Sequence, residues 1–163
     1  IWQNLPYAVN EASVFQRGWP TAPDSWRDAS VQEPMQQLRE LRASVNKVLE
    51  DCRSRQELGA SLEASVRLEA HSPSLQSALH WLNENGQPEV DGLRDWLLVS
   101  QLQIGGEPWA ELLANHDDSV ALIEVARARG TKCERCWHYE SDVGQHADHP
   151  HLCGRCVSVL ERL

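Results

Sequence analysis

From Pro34 onward, Met35, Leu38, Leu41, Val45, Val48, Leu49 and Cys52 recur at the spacing of one helical face. Arg39, Glu40, Arg42, Asn46, Lys47 and Asp51 cover the opposite side. The pattern predicts a long amphipathic helix, with Pro34 in its first turn and its end before a capping Gly59. The period then changes to two. Leu62, Ala64, Val66, Leu68 and Ala70 alternate with Ser61, Glu63, Ser65, Arg67 and Glu69. That alternation predicts a half-buried strand with one wet face. Ser72-Pro73 reads as an N-cap followed by proline at the first helical position. Leu75, Ala78, Leu79 and Leu82 mark the short helix behind it, closed by Asn85-Gly86.

Two short apolar runs, WLLVSQLQI (96–104) and SVALIEVARA (119–128), are further strand candidates. GGEPWAELLANHDD (105–118) between them reads equally as short helix or loop. GWPTAPDSW (18–26), with its two prolines, reads as loop. The expected class is α+β: a long amphipathic helix, a small sheet of about three strands with a helix packed on it, and a C-terminal metal-stabilised ribbon or knuckle.

Charge and composition change this picture in two places. The chain has 163 residues with formal net charge −9. From residue 127 onward, six basic residues (Arg127, Arg129, Lys132, Arg135, Arg155, Arg162) outnumber five acidic ones (Glu134, Glu140, Asp142, Asp148, Glu161). All the excess negative charge therefore lies before residue 127. A bulk negative field repels nucleic acid, so any such contact must be local. No apolar run approaches the roughly 20 residues that span a bilayer, and no basic-then-apolar leader opens the chain. A cytoplasmic protein with no membrane partner is expected. In that compartment paired cysteines hold metal more often than they form disulfides. Ile1 in place of methionine suggests a piece of a longer polypeptide.

Cys133-x2-Cys136 and Cys153-x2-Cys156 are separated by 16 residues. This spacing fits the paired CxxC zinc pattern. Two thiolates three positions apart in a tight turn reach one ion, and two such turns complete a tetrahedron. The expected cofactor is one structural Zn²⁺, because four protein thiolates leave no open position for a reacting water. Gly154 is expected to take a positive φ within the second turn. A histidine ligand (His138, His149 or His151), an iron ion, or two disulfides are the alternatives. Otherwise the histidines read as solvated loop residues. Cys52 lies on the apolar helix face and reads as a buried core thiol. Trp137 and Tyr139, with Arg135 and Arg155 inside the two CxxC turns, offer flat rings and guanidinium planes to unpaired bases. Trp137 reads equally well as a cover over the metal site.

These residues resemble a known family. GTKCERCWHYESDVG (130–144) with HLCGRCV (151–157) looks like the C-terminal zinc finger of bacterial-type isoleucyl-tRNA synthetases. WQNLP (2–6), RASVNKVLEDCR (42–53) and LGASLEASVRL (58–68) match the same region in the same order. The resemblance implies that residues 1–56 end a helical anticodon-binding domain. Residues 57–126 would form a small α+β junction module, and 127–163 the finger. It carries the zinc ligands over to Cys133, Cys136, Cys153 and Cys156. It implies tRNA(Ile) and the same polypeptide's catalytic domains as partners, in a class I ligase that joins isoleucine to its tRNA using ATP. The adenylate-forming HIGH-type and KMSKS-type signatures do not occur here, so the segment alone is expected to catalyse nothing. Two other readings remain: a purely structural zinc module that docks the parent protein's domains, and the finger of a formamidopyrimidine-type DNA glycosylase.

Overall fold

The structure is a computed structural model that describes residues 2–8, 10–85 and 92–162. Its first 28 residues hold three short 3-10 turns (Trp2–Asn4, Val14–Gln16, Asp24–Trp26) and large exposed side chains, including Phe15 and Trp19. Three prolines (Pro6, Pro20 and Pro23) and a shortage of apolar periodicity account for that irregular path.

Helix α1 runs Ala29–Ser54. It begins five residues before Pro34, because Asp28 is its cap. One Asp28 carboxylate oxygen accepts the Ser30 N–H at 2.9 Å. Pro34 therefore stands inside the helix, not in its first turn. The expected stripe is the buried one: Leu38, Leu41, Val45, Val48, Leu49 and Cys52 all lie in the core. The helix also ends earlier than a Gly59 cap would allow. Gln56 takes the left-handed φ of 60°. Its N–H reaches the Arg53 carbonyl, and the Glu57 N–H reaches the Cys52 carbonyl. This six-to-one and five-to-two pairing closes a helix without glycine. Gly59 instead donates its N–H to the Glu63 carboxylate at 2.9 Å.

Strand β1 (Ala64–Ala70) is central in a four-stranded sheet. It pairs parallel with β2 (Gln101–Ile104) and antiparallel with β4 (Ala121–Arg127). Strand β3 (Ala114–Asp117) closes the far edge against β4. A parallel pair needs a crossover, and α2 (Pro73–Asn85) with α3 (Gly92–Leu97) supplies it. The Ser72 hydroxyl accepts the Leu75 N–H at 3.2 Å, as the Ser-Pro cap predicts. Asn85 ends α2, and Gly86 lies outside the described residues. The run 96–104 is not one strand. Trp96 and Leu97 belong to α3, and only 101–104 joins the sheet. Leu98 makes the corner, with φ 56° and the same bonding as at Gln56: Leu98 N–H to Asp95, Val99 N–H to Arg94. The run 119–128 is β4, as expected, whereas 105–118 yields a loop and then a strand, giving four strands where about three were expected.

One apolar cluster joins α1, α2 and α3 to one face of β1 and β4. Val66 and Leu68 from β1, with Ile123 and Val125 from β4, sit beneath Leu41, Val45 and Leu75. The other face of β1 is not the wet face that its alternation predicts. Arg67 is 1% exposed. It stands directly opposite Glu124 in the register. The Arg67 Nε donates to Glu124 Oε2 at 2.6 Å, and Nη1 donates to the Gly106 carbonyl at 3.2 Å. Glu124 also accepts the Trp109 N–H at 3.3 Å. The pair thus anchors the loop after β2 over that face. Two opposite charges desolvated together are tolerable only with such added hydrogen bonds.

The hydrogen bond from Arg67 holds the Glu124 carboxyl below its ordinary value of 4.5, against the opposing effect of burial. The stability it contributes is complete above that ordinary value and is lost as pH falls through the depressed one. Glu124→Leu should cost about 3–5 kcal/mol, because it removes the short, buried partner of the Arg67 charge and leaves it only the more exposed Glu69 carboxylate at 3.5 Å. Urea unfolding between pH 3 and 7 should show a flatter acid limb for Glu124→Gln than for the unaltered chain.

Candidate metal centre and its polar surround

After β4 the chain makes a two-stranded ribbon, β5 (Thr131–Lys132) with β6 (Tyr139–Glu140), and ends in helix α4 (Gly154–Leu160). The first CxxC lies in the turn of that ribbon. The Cys133 N–H donates to the His138 carbonyl, and the Trp137 N–H donates to the Cys133 carbonyl, each at 2.9 Å. Closing so tight a turn requires a left-handed residue, and Trp137 takes it with φ 66°. The second CxxC is not a hairpin bend. Cys153 is the N-cap residue of α4, and Cys156 lies in its first turn.

Gly154 does not take the positive φ expected of it. It is helical, and its lack of a side chain serves a different purpose. A Cβ there would sit 2.7 Å from Asp142 Oδ2. That same oxygen accepts the Gly154 N–H at 2.7 Å. Burial pushes the Asp142 carboxyl up, but this N–H and the His146 ring outweigh it and hold the group below its ordinary value. The Glu134 N–H donates to the His151 carbonyl at 3.1 Å and ties the two CxxC segments together.

The Sγ atoms of Cys133, Cys136, Cys153 and Cys156 all lie within 4.8 Å of one another. Cys136 Sγ and Cys153 Sγ are 3.7 Å apart. A tetrahedron with Zn–S bonds near ~2.3 Å places its sulfurs about 3.8 Å apart. A disulfide would bring two of them to about 2.05 Å, and all five cysteines are free thiols. The donor set therefore fits one structural zinc ion. Burial pushes the Cys133 thiol up, but N–H groups of Cys136, Cys153 and Arg135 outweigh it and hold the group at about 6. Burial and the neighbouring sulfurs of Cys133 and Cys156 push Cys136 up to about 11. Burial likewise raises Cys153. One sulfur is thus poised to ionise and two resist, until a cation offsets the crowded negative charge.

The surrounding side chains divide into outward-facing and inward-facing groups. Trp137 is 60% exposed, so it does not cover the sulfurs, and the Lys132 ammonium lies 5.7 Å from its ring centroid. Arg135 is exposed beside it. Tyr139 is half-buried, and its N–H donates to the Ser100 hydroxyl at 2.8 Å. The Arg155 guanidinium reaches Asp95 at 3.4 Å. His138 is not a solvated loop residue. It is buried against α3, with its Nε2 3.8 Å from Asp95 Oδ1, and burial lowers its pKa. Among the described residues, no histidine joins the sulfur cluster. Cys52 is buried 3.6 Å from an Arg55 nitrogen, as its helix face predicts. Sequence reading missed Asp142, Ser100, Arg94 and Asp95 around this centre. Single polar residues in otherwise ordinary segments carry no periodic or spacing signal.

A family described as "Zinc finger found in FPG and IleRS" matches residues 130–159. The whole chain is similar to proteins named isoleucine–tRNA ligase. It is 76% identical to that of Parasynechococcus marenigrum (strain WH8102) over 99% of the chain and 17% of the relative. It is 74% identical to that of Prochlorococcus marinus (strain MIT 9313), also over 99% of the chain and 17% of the relative. At 39% identity, the protein from Prochlorococcus marinus (strain MIT 9515) still aligns over 98% of the chain and 17% of the relative. The chain spans about one sixth of the length of the curated relatives it matches. Identity this high, spread across helix, sheet and finger alike, means that the chain belongs to the isoleucine–tRNA ligase family, as a segment that carries its zinc finger.

Proposed function

We propose that this chain is the C-terminal, anticodon-side tRNA-binding part of a cytoplasmic isoleucyl-tRNA synthetase. In this reading the whole enzyme joins isoleucine to tRNA(Ile) with ATP in its catalytic domains. This segment contributes no reacting group. Residues 1–56 close the helical anticodon-binding domain, 57–126 form a junction module, and 127–163 form the finger. Cys133, Cys136, Cys153 and Cys156 ligate one zinc ion, which supplies a rigid fold and no catalysis.

The observation that carries this reading is the 76% identity over 99% of the chain. Whole-chain similarity favours the synthetase over a glycosylase, since only the 30 or so residues of the finger are common to both. The surface supports an RNA-facing role for one flank of the finger. Trp137 is exposed on a sulfur-ordered turn, flanked by Lys132 and Arg135. An aromatic face with adjacent cations stacks on an unpaired base without reading its sequence. Tyr139 and Arg155, also candidates for RNA contact, face the α3–β2 corner, where they meet Ser100 and Asp95.

Four outcomes test this reading. The chain should carry one zinc per polypeptide. A chelator should raise amide exchange across residues 131–160 first, while β1 and β4 stay protected. Loss of protection throughout the sheet at the same chelator concentration would show that the finger is not a separate metal-folded unit. Trp137→Ala should weaken tRNA binding by about 1–3 kcal/mol with the salt slope unchanged. Arg135→Ala should lower that slope by about one. Titrations of tRNA against duplex DNA at several salt concentrations read both effects.

A further inference from the structure

The sulfurs fold the finger, but they do not aim it. Among the described residues, its small apolar cluster (Cys133, Cys153 and Cys156, with Cys136, Val143 and Leu152 packed on it) shares no residue with the main core. A junction without common apolar packing leaves two bodies free to reorient. Polar contacts span the junction here: Gln101 and Arg129 exchange two hydrogen bonds, and the contacts to the finger's ribbon and cysteine turns come from Arg94, Asp95 and Ser100 of the α3–β2 corner.

Arg94 Nη1 donates both to the Ser100 carbonyl at 3.0 Å and to the Glu140 carboxylate of β6 at 2.9 Å. The two side chains are only 17% and 25% exposed. Asp95, next in sequence, presents one carboxylate oxygen to each half of the finger. Oδ2 faces Arg155, inside the second CxxC, at 3.4 Å, and Oδ1 faces His138, two residues past the first, at 3.8 Å. Ser100 is fully buried. Its N–H donates to the Ala64 carbonyl of β1, its hydroxyl donates to the Leu62 carbonyl, and it accepts the Tyr139 N–H of β6. The Leu98 corner sets Ser100 beside Arg94, because the Val99 N–H bonds back to the Arg94 carbonyl.

We propose that Arg94 and Asp95 of α3 are positioning residues that fix the direction in which the finger presents Trp137 and Arg135, independently of zinc binding. Arg94 couples the ribbon to the sheet through Ser100, and Asp95 holds the second cysteine turn through Arg155 while lying beside the buried His138 of the first. The consequence for tRNA rests on the RNA-binding reading above. A finger held in one orientation loses less freedom on binding than one that pivots.

The test uses the zinc-loaded 163-residue chain and its Arg94→Ala, Asp95→Asn, Glu140→Gln and Arg94→Lys variants. Glu140→Gln lies on the finger and leaves α3 untouched, so it remains informative if α3 variants fold poorly. The first readout is backbone ¹⁵N relaxation, with zinc content measured alongside. In Arg94→Ala, Asp95→Asn and Glu140→Gln, residues 131–160 should gain motion relative to β1 and β4 while one zinc is retained. Arg94→Lys, whose ammonium can reach both acceptors, should tumble as the unaltered chain does. The second readout is tRNA affinity, expected to fall about tenfold in the variants that loosen the finger. Finger and sheet tumbling as one body in all variants would overturn the proposal. A loosened finger with unchanged tRNA affinity would leave the positioning role standing and remove the RNA reading.

Discussion

Gathering four sulfurs around one cation is the constraint on which the C-terminal finger of this structure depends. The ribbon β5–β6 has two residues per strand, and α4 has seven residues in all. Neither length is stable in isolation. The side chains buried among them are mainly the cysteines themselves. Without an ion two of those sulfurs, Cys136 and Cys153, resist ionisation. With one, a single set of bonds fixes both turns, and the backbone details follow from it. Trp137 accepts a left-handed φ, and Gly154 leaves room for the Asp142 carboxylate at the start of α4.

The helix-and-sheet body obeys a different physics. Its stability comes from apolar area shared by α1, α2, α3 and one face of the sheet. A buried ion pair, Arg67 against Glu124, organises the opposite face and the loop laid over it. Body and finger meet through hydrogen bonds and ion pairs from the α3–β2 corner. That arrangement makes the finger's orientation sensitive to a few polar side chains while its fold depends on sulfur and metal. For a segment proposed to hold RNA at a distance from a reacting centre, direction matters as much as fold.

Strongly periodic or strongly spaced signals were legible in the sequence. The α1 stripe, the Ser72 cap, β4 and the paired cysteines all stand where patterning puts them. What escaped were features set by tertiary partners. Strand β3 is Ala-Asn-His-Asp, with little apolar content, and it exists because β4 offers an edge. Ser65 and Arg67 read as wet positions and are buried; for Arg67, a cross-strand carboxylate and a loop carbonyl take up its polar head. Helix ends at Gln56 and Leu98 use left-handed residues that are not glycine, so the usual punctuation is missing. His138 is buried by a helix some forty residues away in sequence, which no local pattern announces.

X-ray absorption at the zinc edge tests the central claim most directly, because it reads the donor atoms themselves. The account predicts a first shell of four sulfurs at about 2.3 Å and no nitrogen or oxygen within bonding distance. A shell containing imidazole nitrogen, or a protein free of zinc whose sulfurs sit at about 2.05 Å from one another, would contradict it.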